Sequence, residues 1–120
     1  MGKCFDLVIH LFDGSGSKWY YGTGQIVAQK DKIEGYVCDD YLLMERKANG
    51  YTFSFYNWTT GTKYGAELLI DELEFPGKYA IIVSKNEYLS KFVLEVGSQI
   101  KDMEKCKQIE STLDRVRQSI

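Results

Sequence analysis

The feature that most constrains this fold is a strand-like alternation of apolar and polar residues, which recurs in short segments up to about residue 84. Successive side chains of a strand point to opposite faces, so apolar residues at every second position share one face. Turn-forming residues such as DGSGS at 13–17 and the pair Asn49 and Gly50 separate the segments. The pattern predicts an antiparallel β-meander. Its first segment places on one face Phe5, Leu7, Ile9 and Leu11.

Seven segments of the sequence fit this pattern. They are residues 5–11, 18–29, 32–38, 41–47, 51–58, 66–75 and 79–84. The residues between the fifth and sixth segments, TTGTKYG, are predicted to form a loop because they are small, polar or glycine. The sixth segment would also suit a short helix, but turn signals on both sides at strand-like spacing favour a strand.

The last third of the chain leaves two alternatives open. Residues 87–96, EYLSKFVLEV, alternate like a strand and also carry a helical stripe of apolar side chains. A strand here would allow a closed eight-stranded barrel. A helix is slightly favoured, because an open sheet needs a cover for its apolar face. Beyond Gly97, Ser98 is a suitable helix cap.

The predicted fold class is therefore α+β. An antiparallel meander of six to eight strands, either an open curved sheet or a small barrel, is followed by a C-terminal amphipathic helical segment. The length favours a single domain over residues 1–120, with residues 1–84 forming the sheet region and residues 85–120 mainly helical.

Composition limits the partners. The 15 basic residues are balanced by 17 acidic ones without a basic block, which argues against nucleic acid. The apolar runs are too short to span a membrane, so no membrane partner is expected. Asp6 and His10 interrupt the apolar N-terminal stretch, which is atypical of a signal peptide. We therefore expect a cytoplasmic protein.

The reactive residues offer little chemistry. The three cysteines, Cys4, Cys38 and Cys106, are odd in number and lack paired spacing, which predicts reduced thiols rather than disulfides or a zinc site. One histidine, His10, stands alone, and no serine lies in a nucleophile motif. We predict no catalytic residue, no metal and no cofactor. A small carboxylate-based enzyme is the least favoured alternative.

The second segment carries an unusual set of glycines and aromatics. Tyr20, Gly22 and Gly24 share one strand face, where the glycines leave two adjacent positions without side chains. Either the glycines let the sheet curve, which is the favoured explanation, or the bared backbone and Tyr20 form a pocket wall. In the second case a flat, nucleotide-like ligand would stack on aromatic rings, and arginines would pair with its phosphates. The ligand-binding set is then Tyr20, Gly22, Gly24, Trp58, Tyr64, Phe92, Arg115 and Arg117.

The C-terminal stripe suggests a second kind of function. Its apolar residues are Cys106, Ile109, Leu113 and Val116. They fall at the three- and four-residue spacings of a helix that must cover something. They either fold back onto the sheet or form the interface of a homo-oligomer. The leading hypothesis is a non-catalytic protein that binds a small flat ligand. The alternative is a protein-interaction module, such as an inhibitor, an immunity-type protein or an assembly subunit.

Overall fold

The fold is taken from a computed structural model that describes residues 2–68, 72–83 and 89–120. These residues form eight strands and one helix. The strands are β1 (Lys3–Phe12), β2 (Lys18–Ala28), β3 (Lys32–Val37), β4 (Asp40–Lys47), β5 (Gly50–Asn57), β6 (Thr62–Leu68), β7 (Gly77–Ile82) and β8 (Lys91–Ile100), and the helix is α1 (Met103–Gln118).

All strand pairs are antiparallel, in the spatial order β6-β5-β4-β3-β2-β1-β8-β7. The sheet curls until β6 and β7 approach each other, which nearly closes it into a barrel. The predicted antiparallel α+β meander is thus confirmed, with the sheet close to a barrel. Closure matters because it buries the apolar face of the sheet without needing a helix as a cover.

The barrel interior is filled by side chains. Each strand contributes alternate residues, as the alternation in the sequence predicts. At one end of the interior, the fully buried Phe92 ring lies 4.5 Å from Phe53, 5.7 Å from Phe55 and 6.2 Å from Tyr64, measured between ring centroids. These tilted aromatic contacts bind β5, β6 and β8 into one cluster.

The two glycines of β2 allow it to approach β3 closely. A Cβ atom added to Gly24 would lie 1.8 Å from the carbonyl oxygen of Tyr36. One added to Gly22 would lie 2.3 Å from a methyl group of Val37. No side chain fits at either position, so close packing of the strands accounts for both glycines.

The sixth strand differs from the prediction. β6 begins at Thr62, inside the segment predicted to be a loop. Residues 72–76 are not strand, and residues 69–71 lie outside the described part of the chain. The reason is pairing with β5, which sets Tyr64 opposite Phe55 and Ala66 opposite Phe53. The polar residues and glycines around Tyr64 leave few apolar residues in this segment, so its apolar–polar alternation is too short to predict a strand.

The slightly favoured helix over residues 87–96 is also wrong where the structure describes it. Residues Lys91–Ile100 form β8, which pairs with both β1 and β7. The region predicted as mainly helical therefore contains a strand, and the helix is confined to α1. Its cap is Asp102 rather than Ser98: the Asp102 Oδ1 accepts hydrogen bonds from the backbone N–H groups of Glu104 (3.0 Å) and Lys105 (3.4 Å).

The helix packs on the outside of the barrel. Ile109 and Leu113 are buried against Val27 of β2 and Cys4 of β1, and Val116 is buried as well. The stripe is therefore not an exposed oligomer interface, because these side chains are buried within their own chain. Of the two alternatives, folding back onto the sheet is the one observed.

A disulfide joins Cys4 of β1 to Cys106 of α1, with their Cα atoms 5.8 Å apart. The prediction of reduced thiols was wrong for this pair, because the fold brings together residues that are 102 positions apart in sequence. Cys38 is free and exposed at the β3–β4 turn. The one helix that the structure describes is not of the length and apolarity needed to cross a membrane.

Candidate functional site

The predicted ligand-binding residues do not form one open platform. Tyr64 and Phe92 lie in the packed aromatic cluster of the interior. Gly22 and Gly24 face β3 at contact distance. The burial of Tyr64 and Phe92 contradicts a stacking role for their rings, because neither ring offers a free face to a ligand. Trp58 differs from them, since it follows β5 and is 54% exposed.

Tyr20 and Trp58 are brought together by Asp40. The Tyr20 hydroxyl donates a hydrogen bond of 2.7 Å to Asp40 Oδ2, and the Trp58 backbone N–H donates one of 2.8 Å to Asp40 Oδ1. Burial, and next the hydrogen bond to Asp40, raise the pKa of the Tyr20 phenol. The buried Asp40 thus ties together β2, β4 and the turn after β5.

The role of Asp40 is not apparent from its sequence neighbourhood. The adjacent pair Asp39 and Asp40 is typical of a turn, but the turn consists of Cys38 and Asp39, and Asp40 is the first residue of β4. A signal was present: Asp40 continues the alternation of Leu42 and Met44, which places it on the interior face.

The two arginines hold the helix to the barrel. Arg117 Nε lies 2.7 Å from Glu34 Oε2 on β3, and Arg115 Nη1 lies 3.2 Å from Asp39 Oδ1 at the β3–β4 turn. Arg117 also pairs with Asp114 at 2.7 Å. These contacts engage both guanidinium groups on the outer surface, away from the aromatic interior. These contacts give both arginines a structural role, and the phosphate contacts stay a prediction.

Glu34 is the buried centre of this polar network, with only 5% of its surface exposed. It accepts hydrogen bonds from Arg117 and the Tyr41 hydroxyl, and it pairs with Lys32 at 3.1 Å. Burial raises the pKa of the Glu34 carboxyl. The hydrogen bonds from Arg117, Tyr41 and Lys32 lower it by more than burial raises it, so the pKa is below its ordinary value. Burial, and next the bond to Glu34, raise the pKa of Tyr41.

A different surface carries the exposed aromatic residues Trp19 and Tyr21. The face is formed by the outward side chains of four neighbouring strand segments: β7, β8, β1 and the start of β2. In it, His10 lies opposite both Tyr21 and Val93. Lys91 lies opposite both Phe12 and Ile82. Two exposed side chains project from it, Tyr21 (60%) and Ile82 (67%), and Trp19 (40% exposed) lies at its edge, beside the register shift near the start of β2. We call this the outer aromatic face, formed by His10, Phe12, Trp19, Tyr21, Ile82 and Val93.

Lysines surround the outer aromatic face. The Lys18 ammonium lies 5.9 Å from the centre of the Phe12 ring and 5.8 Å from that of Tyr21. The Lys91 ammonium lies 4.5 Å from the centre of Phe12. Such cation–π contacts hold the ammonium groups beside the rings while leaving them accessible to a partner. The face therefore combines apolar surface with positive charge.

His10 lies at the centre of this face. Its ring is 5.1 Å from that of Tyr21 between centroids, in an edge arrangement, and its Nε2 is 3.5 Å from Glu95 Oε1. Glu95 also pairs with Lys78 at 3.2 Å. The position of His10 opposite Tyr21 follows from the β1–β2 hairpin.

No group of three or more His, Cys, Asp or Glu side chains able to hold a metal occurs in the part of the chain that the structure describes. Comparison with models of protein families found no match for this chain, and comparison with curated protein sequences found no relative.

Proposed function

We propose that this chain is a non-catalytic binding protein whose outer aromatic face docks onto an acidic surface of a protein partner. The observation that carries the proposal is the exposure of Trp19 and Tyr21 on β2 and of Ile82 on β7, on the outer side of a stretch of sheet in which β1 and β8 lie between those strands. Tyrosine and tryptophan are enriched among the residues that dominate binding energy at protein interfaces. Large apolar side chains exposed on one side of a sheet are typical of interaction sites.

The charges around the face favour an acidic partner. Among its described neighbours, Lys18, Lys78 and Lys91 supply positive charge, and Lys78 already pairs with the carboxylate of Glu95 at 3.2 Å. A partner carrying Asp or Glu opposite these lysines would gain electrostatic complementarity and faster association. Because the anchors stand on strands of a packed barrel, little ordering is needed on binding.

The test removes the two anchors that project most clearly from β2. The parent chain is compared with a Trp19→Ala/Tyr21→Ala double variant, each used as bait in extract of the source cells. The matched control is Trp58→Ala, which removes an exposed indole from a different surface. The captured protein is then purified and its Kd measured by calorimetry at low and high salt. We expect the double variant to lose at least about 30-fold in affinity, as expected for hot-spot residues, and the control to bind like the parent.

Equal affinity of the double variant and the parent would overturn the proposal, as would binding insensitive to salt. A second copy of this chain is the competing occupant of the face. Light scattering that finds a dimer in the parent and a monomer in the double variant would contradict an acidic partner and assign the face to self-association. Urea unfolding of each variant checks that the fold is intact.

A small flat ligand is the second candidate, supported by Trp58. Its indole is exposed, and its backbone is fixed by the bond to Asp40 beside the half-buried Tyr20. A base stacked on this indole would quench its fluorescence. Quenching by adenosine monophosphate that persists in Trp58→Phe would contradict this candidate.

A cytoplasmic location and a homo-oligomeric state stay predictions. Disulfides such as Cys4–Cys106 persist mainly in oxidising compartments, which weighs against the cytoplasm. A homo-oligomer would need a surface other than the buried stripe of α1.

A further inference from the structure

A cavity of about 210 Å³ adjoins the disulfide between the helix and the barrel. It is lined by the start of β1, the end of β8 and the first turns of α1. Both Cys4 and Cys106 belong to this lining, so the disulfide forms part of one wall. We call it the disulfide cavity. It gives a small molecule a route to a bond that joins two elements of the fold.

The two cysteines of this wall differ in burial. Cys4 is only 1% exposed and packs in the apolar cluster beneath α1, whereas Cys106 is partly exposed. In thiol–disulfide exchange a thiolate attacks one of the two sulfur atoms, and access helps to decide which one. Burial therefore favours attack on Cys106, with Cys4 as the leaving group. The apolar surroundings of Cys4 suit the neutral thiol that its release produces.

Lysines surround the disulfide cavity. Of the described residues that line it, Lys3, Lys101 and Lys107 are cationic, and Glu110 is the one carboxylate. Lys107 Nζ also lies 3.6 Å from Glu104 Oε1, in an exposed pair that offsets part of this charge. A concave site with an excess of one charge raises the local concentration of ions of the opposite charge. Positive charge also favours the thiolate form of a thiol, which is the attacking species.

From this arrangement we infer that the disulfide cavity is a site of thiol–disulfide exchange with a small anionic thiol. The incoming thiolate forms a bond to Cys106 Sγ while the bond from Cys106 to Cys4 breaks, and Cys4 takes up a proton. The incoming thiol is oxidised and Cys4 is reduced, so the products are a mixed disulfide on Cys106 and a free thiol on Cys4. The acidic group of the adduct stays beside the lysines.

The exchange would free only the first turns of α1 from the barrel. Beyond Cys106, Ile109 and Leu113 are buried against the sheet, and Arg117 pairs with Glu34 at 2.7 Å. The modified chain should therefore keep the second half of the helix in place, while backbone amides at its start exchange their hydrogens faster. The inference is independent of the proposed docking of a protein, because none of these residues belongs to the outer aromatic face.

The test compares the rates at which thioglycolate and the uncharged mercaptoethanol react with the folded full-length Cys38→Ser chain. This substitution removes the free thiol, so every adduct reports on the disulfide. Each rate is divided by that of the same reagent with hydroxyethyl disulfide, which corrects for intrinsic reactivity. We expect thioglycolate to react about tenfold faster at low ionic strength and to lose this advantage at high salt. Peptide mapping by mass spectrometry should place the adduct on Cys106.

Two double variants test the role of the lysines. Lys101→Gln/Lys107→Gln changes two exposed residues of the cavity, and it should slow thioglycolate to the corrected rate of mercaptoethanol while leaving mercaptoethanol unchanged. Lys47→Gln/Lys63→Gln removes the same charge from exposed positions on β4 and β6, so it is the matched control and should keep the advantage of thioglycolate.

Reaction through the cavity of the folded chain should not depend on urea below the unfolding transition. A rate that rises with urea in step with the unfolded population would overturn the inference, because the disulfide would then react only after unfolding. Equal corrected rates of the two reagents at low salt, an adduct on Cys4, or equal slowing of thioglycolate in both double variants would overturn it as well.

Discussion

At the scale of single residues, a few side chains decide where neighbouring elements can meet. Gly24 lets β2 approach the backbone of β3, Asp40 joins two strands and a turn, and Glu34 anchors the end of α1. Each acts through a contact to a particular backbone or polar atom, so substitution should affect stability in a specific way.

Gly24→Ala is the sharpest test of close packing. The added Cβ would lie 1.8 Å from the Tyr36 carbonyl oxygen, which requires the strands to separate. We expect a loss of about 3 kcal/mol or more in the free energy of unfolding, measured in urea, at the upper end of overpacking costs. Gly65→Ala is the matched control, since its added Cβ would meet its nearest atom at an ordinary 3.8 Å. Equal effects of the two would contradict the packing role.

Glu34 predicts a pH dependence of stability. Its pKa is lowered in the folded state, so its contribution is fully present above the unfolded value, near pH 4.5, and is lost as pH falls through the lower folded pKa. At pH 7 we expect Glu34→Gln to cost about 1–3 kcal/mol, because charged hydrogen bonds are lost. The gap between the parent and the variant should narrow as pH falls below about 4.5 and close as pH passes the lower folded pKa of Glu34.

Urea unfolding at a series of pH values measures this gap. Glu67→Gln, which changes an exposed carboxylate on β6, is the control and should follow the parent throughout. A constant difference between parent and Glu34→Gln down to the lowest pH would show that the charge of Glu34 is not the cause.

At the scale of elements, α1 is fixed to the barrel at both ends. The Cys4–Cys106 disulfide holds its first turns, and the Arg117–Glu34 pair holds its last turn. Between them, Ile109 and Leu113 pack against β1 and β2. The helix is therefore held on the outer surface of the sheet by a disulfide, an ion pair and apolar packing.

The Cys4–Cys106 disulfide predicts that the free energy of unfolding depends on redox conditions. A disulfide that closes a loop of about 100 residues stabilises by about 4.7 kcal/mol in the chain-entropy view. Cys4→Ser/Cys106→Ser should therefore unfold at lower urea, by about 2–5 kcal/mol. Cys38→Ser should be neutral, and thiol titration of the oxidised parent should find one free thiol per chain. Three free thiols in the native protein would contradict the disulfide.

The sequence predicted the local elements well. The first five strand segments correspond to β1–β5, and hairpin turns occur at Cys38–Asp39 and Ala48–Asn49, next to the predicted turn residues. These elements are set by alternation and turn chemistry within a few residues, which a sequence displays directly.

Elements that depend on distant partners were not predicted. The residues of β8 suit both a strand and a helix, and only pairing with β1 and β7 decides between them. The same holds for the disulfide, whose two cysteines are far apart in sequence. In β6, pairing with β5 overrides the loop-like composition around Tyr64.

The candidate site was predicted only in part. The run of Trp19, Tyr20 and Tyr21 is unusual in the sequence, but the predicted site contains Tyr20 and neither of its two more exposed neighbours. Strand alternation places Trp19 and Tyr21 outside, yet the apolar residues of β7 and β8 that join them become visible only in the assembled sheet.

At the scale of the whole molecule, a filled barrel supports the outer aromatic face. The packed interior makes this support rigid, so a partner would bind the face with little ordering of the sheet.

The central claim is that the outer aromatic face meets a protein partner, and photo-crosslinking tests it most directly. A benzophenone amino acid is placed at position 21, or at position 58 as the control, and the full-length protein is irradiated in extract of the source cells. We predict one dominant adduct from position 21, absent from position 58, that cross-links through an acidic segment of the other protein. Adducts of equal yield at both positions, or adducts confined to position 58, would contradict the account.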